Sequence, residues 1–374
     1  MRIVRAELLE YVRALDGRSW NPVSRWTERR APFLVLESDE GIRVHAEAWS
    51  RQEQIDRVFE ALAAGVKCVL GRSLDTGEEI VTLHNALPCA DWPESAAASA
   101  IDMALWALLA RTQRRPLHAM LGATTNAVRV YASGGLYRDG DADMAETLAN
   151  EVSRYRAQGF RDVKIKVGGL PLPEDIRRIG AARAAMVDEG VLWVDAVNQL
   201  NAANAVRYGE AYRDAGASAI QAPVDFDDYP TMALIGRLAL PVIAGEATFF
   251  PEHFERLLDD ARVACLQLNL GLCGGFSGAD RIAALAAARN VPVTVQAHGT
   301  AILLLASLQW GAARNVHNVE FHGFHDHLRE SVMADVTVSS GMAALNERAQ
   351  PEPVRPGRIH GEAATVSMVP QLSL

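Results

Sequence analysis

From Val128 onward a short apolar run and an amphipathic helical segment alternate eight times, and no other property of this 374-residue chain restricts its fold so far. The runs are Val128–Ala132, Val163–Val167, Leu192–Asp195, Ala219–Gln221, Pro241–Ala244, Ala264–Leu268, Val291–Val295 and Asn318–Phe321. Helical patterns lie between them, among them Asp143–Gln158, Asp175–Val187, Ala202–Ala215, Phe250–Asp260, Ser277–Asn290 and Thr300–Ala313. This alternation marks βαβ units and a parallel sheet. Eight units over roughly 200 residues are what a closed, TIM-like (β/α) barrel requires, whereas a doubly wound open sheet has fewer strands. No GxGxxG follows any run, which argues against a dinucleotide site.

The residues before the alternation read differently. A strand from Arg2 to about Leu15 precedes a hairpin, in which Phe33–Leu36 and Ile42–His45 flank the turn Ser38-Asp39-Glu40-Gly41. Gln52–Ala64 is amphipathic, and Pro93 with Glu94 opens an Ala-rich helix through Ala110, since proline and an acid suit a helix N-terminus. Strands followed by helices describe a small α+β capping domain over residues 1–125, with the barrel at 126–340. The tail from about Gly341 carries prolines and short strand-like runs, so 341–374 is expected to return to the capping domain.

A net charge of −9, with no basic run longer than Arg111–Arg115, argues against nucleic acid or an anionic membrane as partner. Cys68, Cys89, Cys265 and Cys273 show no CxxC spacing and read as reduced thiols. Met1–Glu7 lacks the apolar core of a signal peptide, and Ile302–Ala306 is far shorter than the about 20 residues a bilayer needs, so a cytoplasmic protein is expected.

Charge inside the apolar runs points to chemistry. Successive strand side chains face opposite ways, so Lys164 and Lys166 share one face while Val163, Ile165 and Val167 share the other. In a barrel the active site forms at the C-terminal ends of the strands. There the third, fourth and fifth runs end in Asp195, Gln221 and Glu246, one βα unit apart. Three oxygen-bearing side chains on adjacent strands suit a hard cation such as Mg²⁺. Opposite them stand Asn269 after the sixth run, His298 after the seventh and Glu320 in the eighth. Ammonium groups on one side and an imidazole on the other would flank an acid held between them, an arrangement for proton chemistry at carbon.

At these residues the chain resembles the enolase superfamily, and within it the mandelate racemase-like branch. The resemblance spans nearly the whole chain: Ala100–Trp106 in the long helix, Leu121-Gly122, the Lys-x-Lys strand, Asp195 with Asn198, Pro223, Glu246, Gly274-Gly275 and His298. It implies a (β/α)₇β barrel capped from both termini, Mg²⁺ on a substrate carboxylate, and removal of the α-proton to give an enediolate. By that resemblance Asp195, Gln221 and Glu246 hold the metal, Lys166 is the base, Lys164 assists at the carboxylate, His298 serves the other face, and Glu320 is a further catalytic candidate. It also implies a homo-oligomer, a dimer or an octamer.

Two positions depart from the family pattern. Gln221 stands where the family usually has Glu, and one neutral carbonyl oxygen should hold Mg²⁺ more weakly than a carboxylate. Asn269 stands where the family usually pairs an Asp with the histidine, which makes His298 a poorer base and a better acid. This asymmetry favours a dehydratase of a hydroxy acid of the acid-sugar type, with Lys166 abstracting the proton and His298 protonating the departing hydroxyl. A racemase, epimerase or cycloisomerase is the second reading, and a non-catalytic or metal-poor acid-binding relative the third. Trp20, Trp49, Tyr137 and Asn198 are candidates for lining the substrate pocket. The histidines His317, His322, His325 and His327 match no zinc spacing and read as a polar loop at the barrel mouth.

Overall fold

The computed structural model describes residues 1–186, 190–322 and 336–346, and the backbone of a strand over 364–373. Eight parallel strands form a closed barrel: Ala127–Gly134, Asp162–Lys166, Leu192–Asp195, Ala219–Gln221, Val242–Ala244, Cys265–Asn269, Val293–Gln296 and Asn318–His322. Closure comes from the eighth strand pairing with the first, Glu320 against Tyr131 and His322 against Ser133. On each strand one set of alternate residues, such as Val163 and Ile165, packs outward on the helices. The other set points inward in tiers. Tyr131, Trp193, Ala219, Ile243 and Cys265 form an apolar plug, and the inward positions that follow it along the strands are polar.

The N-terminal sheet is antiparallel, in the order Ala364–Ser373, Ile3–Ala14, Glu28–Ser38, Arg43–Glu47. The tail therefore does reach this sheet, pairing along Ile3–Ala14. Its earlier part does not: Met342–Leu345 lies antiparallel to Ala127–Arg129 and extends the ladder of the first barrel strand. Four residues without alternating polarity carry no sign of which sheet they will join.

The helix Trp92–Thr112 starts where its sequence directs, with the Asp91 carboxylate accepting from the Glu94 amide at 3.0 Å and Pro93 in the first turn. It is apolar on all sides because it is covered on all sides, by the N-terminal sheet and by barrel helix Gly275–Ala287. A ladder of two-residue strands, Ser19–Trp20 with Tyr137–Arg138, ties the N-terminal segment to the loop after the first barrel strand. Among the described residues no helix is long and apolar enough to cross a membrane.

Candidate active site

The strand period builds the site tier by tier. Lys166, Asp195 and Gln221 are in register on adjacent strands, so their side chains meet. Lys166 Nζ donates to Asp195 Oδ2 at 2.5 Å. Below it Lys164, 1% exposed, contacts Glu320 Oε1 at 2.8 Å, Gln221 Oε1 at 3.0 Å and Asp195 Oδ2 at 3.2 Å. Burial opposes the charge on Lys164, but Glu320, Tyr131 and Asp195 together hold its pKa well above the ordinary lysine value. Burial likewise works against the charges on Asp195 and Glu320, and the two lysines overcome it, drawing both carboxyls below the usual range. The cluster is ionised and internally neutralised, the condition under which buried charge is tolerated.

Backbone geometry aims the acids. Val197 adopts φ 52° and Asn198 φ 61°, and the Val197 amide donates to Asp195 Oδ1 at 3.0 Å. Positive φ is costly for a β-branched residue, so strain is stored where the carboxylate is held. Gly245 has φ 123°, and a Cβ there would lie 2.6 Å from the Gln267 carbonyl, so only glycine lets the chain turn Glu246 inward. Among the described residues Glu246 has no ammonium in contact, and burial, followed by repulsion from Asp195, pushes its pKa up to about 7.

Above this floor lies a cavity of about 550 Å³, whose walls include Lys166, Glu246, Glu320, Asn198, His298 and Trp49. His298 lines the same cavity as Lys166, its ring 4.5 Å from that of His322. Trp49 Nε1 donates to the His298 carbonyl at 2.8 Å, and the Trp49 amide donates to Gly271 O at 3.0 Å.

Two descriptions of known families match this chain in sequence order. The mandelate racemase/muconate lactonizing enzyme N-terminal domain covers residues 17–122, and the enolase C-terminal domain-like family covers 147–357. The chain belongs to the mandelate racemase branch of the enolase superfamily. Arabinonate dehydratase of Saccharolobus solfataricus is 26% identical over 255 residues, 68% of each chain. D-galactarolactone cycloisomerase of Agrobacterium fabrum is 29% identical over 349 residues, 89% of this chain and 90% of the relative. A racemase structure from Streptomyces coelicolor with bound magnesium superposes with a TM-score of 0.81 at 23% identity, covering 93% of this chain and 95% of that one. This member of the superfamily is an enzyme, and its curated relatives are dehydratases, cycloisomerases and epimerases.

Within that family frame the amide of Gln221 decides what the floor offers a cation. Its oxygen accepts from Lys164, which can only donate, so its NH₂ points at Asp195 Oδ2, 3.2 Å away, and at Glu246 Oε2. Gln267 Nε2 adds a second donor to the same oxygen at 3.2 Å. Turning the amide over would set its NH₂ against an ammonium. A glutamate has two oxygens and could face both ways, whereas Gln221 cannot. Asp195 and Glu246 remain, and two carboxylates completed by waters and substrate fit Mg²⁺. Among the described residues no group of three or more His, Cys, Asp or Glu gathers around one point.

The remaining residues singled out from the sequence divide. Asn198 and Trp49 line the cavity. Trp20 and Tyr137 do not: their rings stack at 4.6 Å, and Tyr137 OH donates to Asp175 Oδ1 at 2.9 Å. Asp175 also contacts Arg178, which grips the Lys166 carbonyl at 2.9 Å, so this pair secures the strand that carries Lys166. Asn269 is buried and does not line the cavity, its Oδ1 accepting from the Gly271 amide at 3.0 Å and its buried Nδ2 without a hydrogen-bond partner among the described residues. It connects to His298 through Gly271 and Trp49 rather than through the imidazole. His317 packs on Trp193, and His325 and His327 lie outside the described residues. Sequence reasoning missed Gln267 and Gln296, each two residues before a position it had singled out, although period two extended from Asn269 and His298 would have found them. It also missed Arg29 and Glu47 of the N-terminal sheet.

Proposed function

We propose that this protein dehydrates an acid sugar, removing the proton α to a carboxylate and a β-hydroxyl to leave a 2-keto acid. The observation that supports the reading is that Lys166, Glu246 and His298 line one cavity, with the buried Asp195 hydrogen-bonded to Lys166. Lys166, once it has given up the proton it carries in its ion pair with Asp195, takes the α-proton as an amine, and the electron pair passes into the carboxylate. Lys164, held cationic by Glu320 and Asp195, stabilises the charge that develops there. His298 as imidazolium gives its proton to the departing hydroxyl, water leaves, and the enol tautomerises. Magnesium fits Asp195 and Glu246 and, when bound, supplies Lewis-acid stabilisation of the substrate carboxylate; Gln221, with its oxygen committed to Lys164, should make that binding weaker than in a three-carboxylate site. The four cysteines are free, which suits a reducing cytoplasm.

A cycloisomerase is the second reading, favoured by the 89% coverage of this chain in its match to the galactarolactone enzyme. Incubating the protein with Mg²⁺ and a panel of acid sugars in D₂O separates the two. A 2-keto acid carrying solvent deuterium at C3 is the expected product. Exchange at C2 on an unchanged skeleton, or ring closure without loss of water, sinks the dehydratase reading.

A further inference from the structure

The cavity wall opposite the strand ends comes from the N-terminal sheet and its loops, and it carries four arginines: Arg25, Arg29, Arg30 and Arg51. Three of them are engaged elsewhere. Arg25 pairs with Asp139, Arg30 with Glu10 at 2.5 Å, and Arg51 lies over the Trp92 ring at 4.5 Å. The Arg29 side chain has no hydrogen bond and no ion pair within 4.0 Å among the described residues. It is half-buried and lines the cavity, where its five N–H donors are open to a ligand. Burial pulls its pKa below the ordinary arginine value, with Glu47 and Tyr11 pulling the other way.

Glu47 does not complete Arg29. Both of its oxygens accept from the Thr300 amide at 3.0 Å, and Oε2 takes the Thr300 hydroxyl and, at 3.3 Å, the Leu303 amide. That carboxylate caps the helix Ala301–Arg314 from across the domain boundary. A guanidinium drawn from water and left without an acceptor is costly unless a ligand supplies one, and its planar fork matches a carboxylate.

We infer that Arg29 binds a second carboxylate of the substrate, at the end away from the reacting carbon, so that the preferred acids are dicarboxylic sugars. The inference rests on the reading above in one respect: the first carboxylate is taken to sit at the Lys164 and Lys166 end. Arg29 is then a specificity-determining residue and takes no part in proton transfer.

Calorimetric titration of the full chain tests this, in a Lys166→Ala background with Mg²⁺ present so that nothing turns over. The probes are hexarates and the hexonates of matching stereochemistry, which differ only in the terminal carboxylate. The tightest hexarate should bind about 10- to 100-fold better than its hexonate partner, the range for a charge-assisted hydrogen-bonded pair. Arg29→Met should erase that gap while leaving hexonate affinity within about threefold, and Arg29→Lys should keep part of it, because an ammonium keeps the charge without the fork. A wild-type site that binds the hexonate as well as the hexarate overturns the inference, as does an Arg29→Met variant that weakens both alike, the result expected if Arg29 only balances Glu47. Deuterium exchange with a hexonate as efficient as with its hexarate partner, in otherwise wild-type protein, would leave the proton-transfer reading standing while this one falls.

Discussion

Two clusters of buried ionisable groups, one at the barrel mouth and one at the seam where the long N-terminal helix meets the barrel, obey opposite rules. At the mouth the Lys164 ammonium contacts both the Asp195 and the Glu320 carboxylates. At the seam Asp102 is fully buried, with Oδ2 accepting from the Ser277 amide at 3.0 Å, while His84 Nδ1 stays 3.7 Å from Oδ1. Burial pushes Asp102 up to about 7, and burial with the neighbouring Arg281 pushes His84 down to about 4. Gly275 fits against the same carboxylate at φ 64°, where a Cβ would come within 2.6 Å of it. The seam thus suppresses charge and docks two domains with backbone donors, whereas the mouth keeps charge and opens it to a cavity. Burial alone does not mark a reactive group; unlike charges in contact beside an opening do.

The sharpest way to break the comparison is at the base. Lys166→Ala should reduce α-deuteration and turnover by about 10²- to 10⁴-fold while the fold persists, read by mass spectrometry of product in D₂O. A residual rate near wild type would remove Lys166 from the chemistry. Lys164→Met strikes the same cluster as a structural ion: leaving Asp195 and Glu320 buried without this ammonium should cost about 3–5 kcal/mol in urea denaturation. Adding Glu320→Gln should recover part of that loss, and a variant as stable as wild type would show that the charges are not mutually supported.

Gln221→Glu should tighten Mn²⁺ binding about tenfold or more, because one oxygen can then serve Lys164 and the other the cation. Free Mn²⁺ measured by its paramagnetic resonance decides this without reference to activity, and unchanged affinity would show that the amide oxygen is not what limits the site. The seam gives the smallest effect. Asp102 binds its proton more tightly folded than unfolded, so its contribution to stability is complete below about pH 4 and declines as pH rises to about 7. Asp102→Asn should remove that decline, at most about 1.4 kcal/mol per pH unit, in a series of melting curves from pH 4 to 8.

Both regions were visible in the sequence, to different depths. Lys164, Lys166, Asp195 and Gln221 could be set on one face because strand alternation is a local property. The run Ala100–Trp106 was legible as a family signature, yet its part in docking, through Asp102, depends on where the Gly274-Gly275 turn arrives from another strand. Trp20 and Tyr137 were misplaced for a related reason: a two-residue ladder has no period to read, and the pair closes on Asp175 instead of on substrate. The orientation of the Gln221 amide was out of reach, since it is imposed by Lys164 two strands away. Arg29 sat in a strand whose outward neighbours were unremarkable, and its significance lies in contacts it does not make.

The Trp49 indole that reaches from the N-terminal half to the His298 carbonyl has a consequence for descent. On the proposals above, the groups that move protons stand at the ends of barrel strands, while the arginine that reads the far end of the acid stands in the N-terminal sheet, and the Trp49 indole just past that sheet holds the His298 backbone. Substitutions that drift through the N-terminal half can therefore alter which molecules enter while the strand chemistry is inherited intact. Lineages diverging from such a chain would keep their barrel lysines and differ first around Arg29.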